Sequence, residues 1–162
     1  MLEFKTDRLD CADYEQDMVL WFEHQIALLR QRRFAELDLN NLIEELDSIV
    51  RHERRALESR IRVLLMHLLK CQFQHDRISG SWLGTLDEQR FQIDRLLQDS
   101  PSLVSGLGEV VARAYPSAVH GAASETGLCR DGFPKVNPYT IEQLLDVDFV
   151  PAPSSFAATP SP

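Results

Sequence analysis

Apolar residues recur at Leu39, Leu42, Ile43, Leu46, Ile49, Val50, Leu57, Ile61, Leu64, Leu65 and Leu68. Their spacing of three and four is that of one helix face. No glycine or proline precedes Gly80, so nothing punctuates the stretch. The pattern predicts one helix over 38–74 with Asp38 as its N-cap. At ~1.5 Å per residue it would run about 55 Å. One position breaks the stripe: Glu53 falls where an apolar residue is due. A bend there would shorten the helix, but no breaker demands one, and a single helix is the first expectation.

The same reading places a helix over 14–32. Asp13 is its N-cap candidate and Gln16 sits at the capping-box position. Met18, Trp21, Phe22, Ile26 and Leu29 form its apolar face, and Arg30, Arg32 and Arg33 suit the negative end of its dipole. Ser79-Gly80-Ser81 is a turn and cap for a third helix reaching residue 99, with Trp82, Leu83, Leu86, Phe91, Ile93, Leu96 and Leu97. Ser100-Pro101 starts a fourth. Gly106 and Gly108 weaken its first turns, and Pro116 should either kink it or end it, with a fifth helix starting near Ser117. Gly127 is a fitting stop. After an irregular stretch over 128–138, Thr140 can cap a short helix, IEQLLD, and the Phe133-Pro134 and Pro138-Tyr139 pairs are expected to pin the irregular stretch to the core. No alternation of strand type, internal repeat or second domain is evident. The expected organisation is a lead-in over 1–12, one helical domain over 13–150, and a disordered Pro/Ser-rich tail over 151–162.

Composition narrows the function classes. The 162 residues carry 25 acidic and 17 basic side chains, a formal net charge of −8. That balance disfavours a phosphate-driven nucleic-acid binder or an anionic-membrane binder. Three widely spaced cysteines, Cys11, Cys71 and Cys129, make neither a disulfide framework nor a zinc site. The N-terminus has no apolar signal region, and no apolar run is long enough to span a bilayer. A cytoplasmic location is expected, with no membrane.

Several segments resemble a known family. They are the string YEQDMVLWFEHQIALLRQRRFAELDLNNLIEELDSIVRHERRALESRIRVLLMHLLK, then SGSW, EQR, DSPSL, ETGL and the closing PYTIEQLLDVDFVP. In order and spacing they resemble the bacterial "domain of unknown function twenty-nine" family, from about residue 13 to 151. The resemblance implies an all-helical up-and-down bundle and no assigned activity. Three positions depart from it: Asn137 and Cys71 stand where members often carry Cys and Trp, and Pro116 interrupts a stretch expected to be unbroken.

One constellation could carry chemistry. Residues seven apart share a helix face with slow drift, which aligns Leu39, Leu46, Glu53, Arg60, His67 and Gln74. Glu53, Arg60 and His67 would be partly buried together, with Gln89 and Arg90 of the third helix facing them. Such a set could be a polar pocket for a small ligand, a metal or a reaction, with His67 as acid, base or ligand. The plainer reading is a structural network, because a buried carboxylate needs a partner and Arg supplies one. A di-metal bundle would need Glu-x-x-His pairs. None occurs despite Glu15, Glu23, Glu44 and Glu45, so no metal or cofactor is expected. No nucleophile elbow, catalytic cysteine signature or phosphate loop is present, and Cys71 reads as a small buried hydrophobe. Five arginines between Arg51 and Arg62 are interleaved with Glu53 and Glu58. Pairs such as Glu58–Arg54 and Glu58–Arg62 make that a solvated face rather than a nucleic-acid surface.

The expectation is therefore an all-α up-and-down bundle of four main helices, with a long second helix, a short C-terminal helix and a disordered tail. Its function is expected to be non-enzymatic, through contact with an unknown protein partner or a second copy in a homodimer. A pocket at Glu53, Arg60, His67, Gln89 and Arg90 is the alternative.

Overall fold

The computed structural model describes residues 13–154. In chain order it forms α1 (Met18–Arg30), α2 (Leu39–Phe73), α3 (Gly80–Asp99), α4 (Leu107–Thr126) and α5 (Ile141–Leu145), linked by short 3-10 turns. Four helices are long, and no strand occurs among the described residues. The all-α class, the long second helix and the short last one are as the apolar pattern predicts. The expected lead-in, 1–12, and residues 155–162 of the expected tail lie outside the described residues. By its packing the chain divides into two compact units, with the boundary at Arg51–His52, inside α2.

The first unit is a helical hairpin of α1 and the start of α2. Its first helix begins one turn later than its pattern suggests. Asp13 does act as a cap, but of a separate turn: its carboxylate accepts the Glu15 N–H at 3.2 Å and the Gln16 amide at 2.9 Å. Asp17 then takes an extended backbone and accepts the Leu20 N–H at 3.0 Å, so the helix starts at Met18. Two adjacent caps competed, and the second won. The far end closes with the Arg33 N–H on the Leu28 carbonyl at 2.9 Å and the Arg32 N–H on the Leu29 carbonyl at 3.1 Å. This is a Schellman closure with Arg32 at φ 60°, where glycine is usual. It ends α1 at Arg30, two residues short of the expected stop.

Asp38 caps α2, accepting the Asn41 N–H at 3.3 Å. It also fastens the hairpin: its carboxylate accepts the Trp21 indole N–H at 3.3 Å, and its own N–H donates to the Gln25 side chain at 2.9 Å. Tyr14 reaches Glu45 at 2.5 Å and stacks edge-on against Trp21. These contacts run in opposite chain directions, so the hairpin is antiparallel.

The second unit holds the large core. From Leu57 to Cys71 helix α2 buries Leu57, Ile61, Leu64, Leu65, Leu68, Leu69 and Cys71. They share a cluster with Leu86 and Ile93 of α3, with Val111, Ala114, Ala118 and Ala122 of α4, and with Phe133, Tyr139 and Leu144. The alanines recur four apart and keep that face of α4 thin. Gly121 continues the fit, since a Cβ there would lie 2.6 Å from the Met66 sulfur. Ser79 caps α3 through the Trp82 N–H, and Gly127 at φ 71° ends α4. The Thr140 cap of α5 is a full capping box with Gln143.

Three expectations change here. Pro101 opens a 3-10 segment, Pro101–Gly106, and the α-helix starts only at Leu107. With glycines at 106 and 108, the wider helical turn is costly until residue 107. Pro116 neither ends α4 nor starts a fifth helix; α4 runs unbroken across it. Pro116 is exposed, so the Ala112 carbonyl that loses its partner is on a solvated side of the helix. Finally, the packed chain continues past residue 150. Pro151 is buried, and the Ser154 N–H donates to the Gln72 carbonyl at 2.9 Å.

Pro116 therefore imposes a cost that packing elsewhere offsets. Pro116→Ala should stabilise the protein by about 1–3 kcal/mol and raise its Tm by several degrees. A calorimetric Tm that fell would show that the core requires the distortion.

Candidate functional site

Structure scatters the five residues proposed for a pocket. Glu53 and Arg60 are half-buried on α2. Arg60 approaches the Gln89 side chain of α3 at 3.5 Å, the one contact recorded among the five. His67 is 9% exposed, and its Nδ1 lies 3.0 Å from the Val63 carbonyl one turn back. Nδ1 therefore carries the proton. Burial pulls the imidazole below its ordinary pKa, with the Val63 bond acting against that shift. Arg90 lines a cleft with Asp87, Asp94, Leu145 and Val147; Glu53, Arg60, His67 and Gln89 line neither it nor four further clefts. A seven-residue series drifts round a helix, and over fourteen residues from Glu53 to His67 that drift carries the series from a half-solvated flank into the core.

Arg90 takes a different role. It is 3% exposed on α3. Its Nε donates to the Leu144 carbonyl at 3.1 Å, Nη1 to Val147 at 3.1 Å and Nη2 to Phe149 at 2.7 Å. One guanidinium thus satisfies the end of α5 and the strap that follows. Burial lowers its pKa, while Asp146, Asp87 and Asp148 push the other way. The planar fork suits this task, because it offers donors in fixed directions that a lysine cannot.

The tip of α2 holds polar anchors that sequence reasoning missed. Lys70 is 4% exposed, with its ammonium on Glu125 at 2.5 Å and 4.3 Å over the Trp82 ring. The Gln74 amide donates to the Thr126 carbonyl at 2.9 Å, one of the carbonyls left open at the end of α4. The Gln72 side chain accepts the Tyr139 hydroxyl proton at 2.7 Å. Tyr115 donates to the Pro134 carbonyl at 2.7 Å, and burial raises its pKa to about 12. Phe133 lies 4.9 Å from Phe73, so the irregular stretch is pinned as expected. The one signal for the tip was a lysine and glutamines closing an otherwise apolar run, LLMHLLKCQFQ. Glu58 also chooses differently from expectation: it pairs with Arg113 of α4 at 3.3 Å. The cross-helix partner came within reach, and the pairs to Arg54 and Arg62 did not form in its place.

Cys71 is fully buried in the core, and burial raises its thiol pKa, which suits a packing role. Among the described residues no three His, Cys, Asp or Glu side chains gather to hold a metal ion. No described helix is long and apolar enough to cross a membrane.

The anchors fall in the segments that carry the family resemblance. SGSW supplies Ser79 and Trp82, EQR supplies Gln89 and Arg90, ETGL supplies Glu125 and Gly127, and the closing segment supplies the carbonyls that Arg90 holds. A family model, Domain of unknown function DUF29, matches residues 14–150. The chain belongs to the DUF29 family. No curated protein and no solved structure matches it.

Two measurements probe the buried polar groups. His67 is held neutral in the fold, while the unfolded chain protonates near the ordinary value of 6.5. As pH falls through 6.5 the unfolded state gains the proton first, so stability should fall until the lower folded pKa is reached. His67→Leu should flatten that part of the stability–pH curve measured by urea unfolding; an unchanged slope would contradict the assignment. Arg90→Met should cost on the order of 3 kcal/mol by leaving three carbonyls without this donor. Hydrogen exchange should then accelerate over 141–154 ahead of the rest of the chain.

Proposed function

We propose that this protein is a non-enzymatic helical interaction module that works through the apolar face of its N-terminal hairpin. One observation carries this reading. Met18, Val19, Ile26, Leu29, Phe34, Leu39, Ile43, Leu46, Ile49 and Val50 are all exposed, while only Trp21 and Leu28 are buried hydrophobics of that hairpin. Scattered exposed apolar residues are ordinary, but seven of these fall in two regular stripes, and an exposed apolar patch of that kind marks a contact surface. The second unit supports the reading from the other side: its buried polar groups are engaged in structural bonds, and its candidate pocket residues do not converge on a cleft.

Site-specific photocrosslinking in cells tests it. A photoreactive residue at Leu46 should yield a discrete protein adduct, and the same residue at Arg95, exposed on α3, should not. Absence of an adduct at Leu46, or equal adducts at both positions, would overturn the reading.

A further inference from the structure

Seven of the hairpin's exposed apolar residues, with the half-buried Phe22, lie in two stripes. On α1 they are Val19, Phe22, Ile26 and Leu29, spaced three, four and three. On α2 they are Leu39, Ile43, Leu46 and Val50, spaced four, three and four. Both are the a/d seam of a coiled coil. Phe22 is half-buried, and the other seven are exposed. At ~100° per residue, each stripe sits about a third of a turn round from the side its helix turns to the other. On α1 that inner side is Trp21, Gln25 and Leu28; on α2 it is Asp38, Asn41, Leu42 and Glu45. Both stripes are displaced in the same rotational sense. In an antiparallel pair this puts them on one common face, two helices wide.

We infer that the occupant of this face is the same hairpin of a second copy, docked antiparallel to give a two-fold four-helix arrangement. This rests on the interaction reading above and names its partner. Area is the first argument. The seven exposed side chains of the two stripes present on the order of 600 Å² of apolar surface. A standard interface takes about 800 Å² per partner, of which about 65% is apolar in a homodimer. Shape agrees: a seam two helices wide is covered by another of the same width, and a single docked helix would leave much of it in water.

Charge is the second argument. Along the hairpin's part of α2 the acids Asp38, Glu44, Glu45 and Asp47 precede Arg51. Along α1 and its preceding turn Asp13, Glu15, Asp17 and Glu23 precede Arg30 and Arg32. Each helix therefore runs from acidic to basic. Antiparallel docking sets each helix's acidic end opposite the basic end of its equivalent in the second copy. A two-fold axis along the helices would instead lay α1 on α2 of the second copy, again acidic end on basic end, so charge favours a second copy in either mode and the disulfide trap decides the direction. A two-fold axis is isologous, so the same seam serves both copies and closes the assembly at two. Leu46, 61% exposed near the middle of the α2 stripe, lies close to that axis.

The test uses the full chain. Light scattering at tens of micromolar should give twice the 18.5 kDa chain mass. Leu46→Glu should halve that mass while leaving helical circular dichroism unchanged, because the side chain it replaces is already exposed. Direction is read by disulfide trapping in a Cys11→Ser/Cys129→Ser background. A mixture of Leu39→Cys and Val50→Cys chains should form the mixed disulfide, and neither alone should self-link efficiently. Self-linking of Leu39→Cys would overturn the antiparallel geometry. A monomeric wild-type chain would overturn the second copy as occupant. If that monomer still gave a Leu46-dependent photoadduct with another protein, the interaction reading would survive without it; if it gave none, both would fail.

Discussion

Burial of α2 between Leu57 and Cys71, on one face at first and on every side from Leu64, is the constraint on which the second unit depends. Seven of its side chains are essentially removed from water there, at roughly 1.5–3 kcal/mol for each large aliphatic group. Every other element of that unit is placed to cover them. α4 does so with alanines at 114, 118 and 122 and with Gly121 beneath Met66. α3 contributes Leu86 and Ile93, and the chain after α4 returns with Phe133, Tyr139 and Leu144. His67 lies at the edge of this core, its ring turned to the Val63 carbonyl of its own helix.

A core this apolar would by itself leave the ends of its helices and its irregular C-terminal segment unsatisfied. Polar side chains meet much of that need. The Gln74 amide closes α4, Arg90 closes α5 and gathers the strap behind it, and the Gln72 side chain binds Tyr139 while its main-chain carbonyl takes the Ser154 N–H. No buried side-chain polar atom among the described residues lacks a partner.

How far the residues disclosed this varies by element. Helix type and span were plain where a long stripe met a clear cap, as at Asp38 and Ser79, because periodicity and capping are local. Boundaries failed where local signals competed: Asp13 against Asp17, or Pro101 against the glycines that follow. The candidate pocket was less legible. Heptad spacing placed Glu53, Arg60 and His67 in sequence on one helix, but it could not say which neighbouring side chain each would meet. Arg90 shows the limit well. Its position on α3 was legible, yet its partners are main-chain carbonyls 54 to 59 residues away, and a carbonyl leaves no mark in the sequence.

The same helix carries two unlike surfaces, and this links the fold to the proposed role. From Leu57 onward its stripe is covered by the chain itself; before Val50 the stripe is equally regular, but its side chains remain in water. Selection for solubility alone would replace Leu39, Ile43, Leu46 and Val50 with polar residues, at no cost to the hairpin's own fastenings at Asp38, Trp21 and Tyr14. Helix propensity does not require these residues either, since Ile and Val are weaker formers than Glu or Lys. A regular apolar seam on a well-capped helix, flanked by charges that run from acidic to basic, is more economically explained as a surface completed by association than as an uncovered remnant of the core.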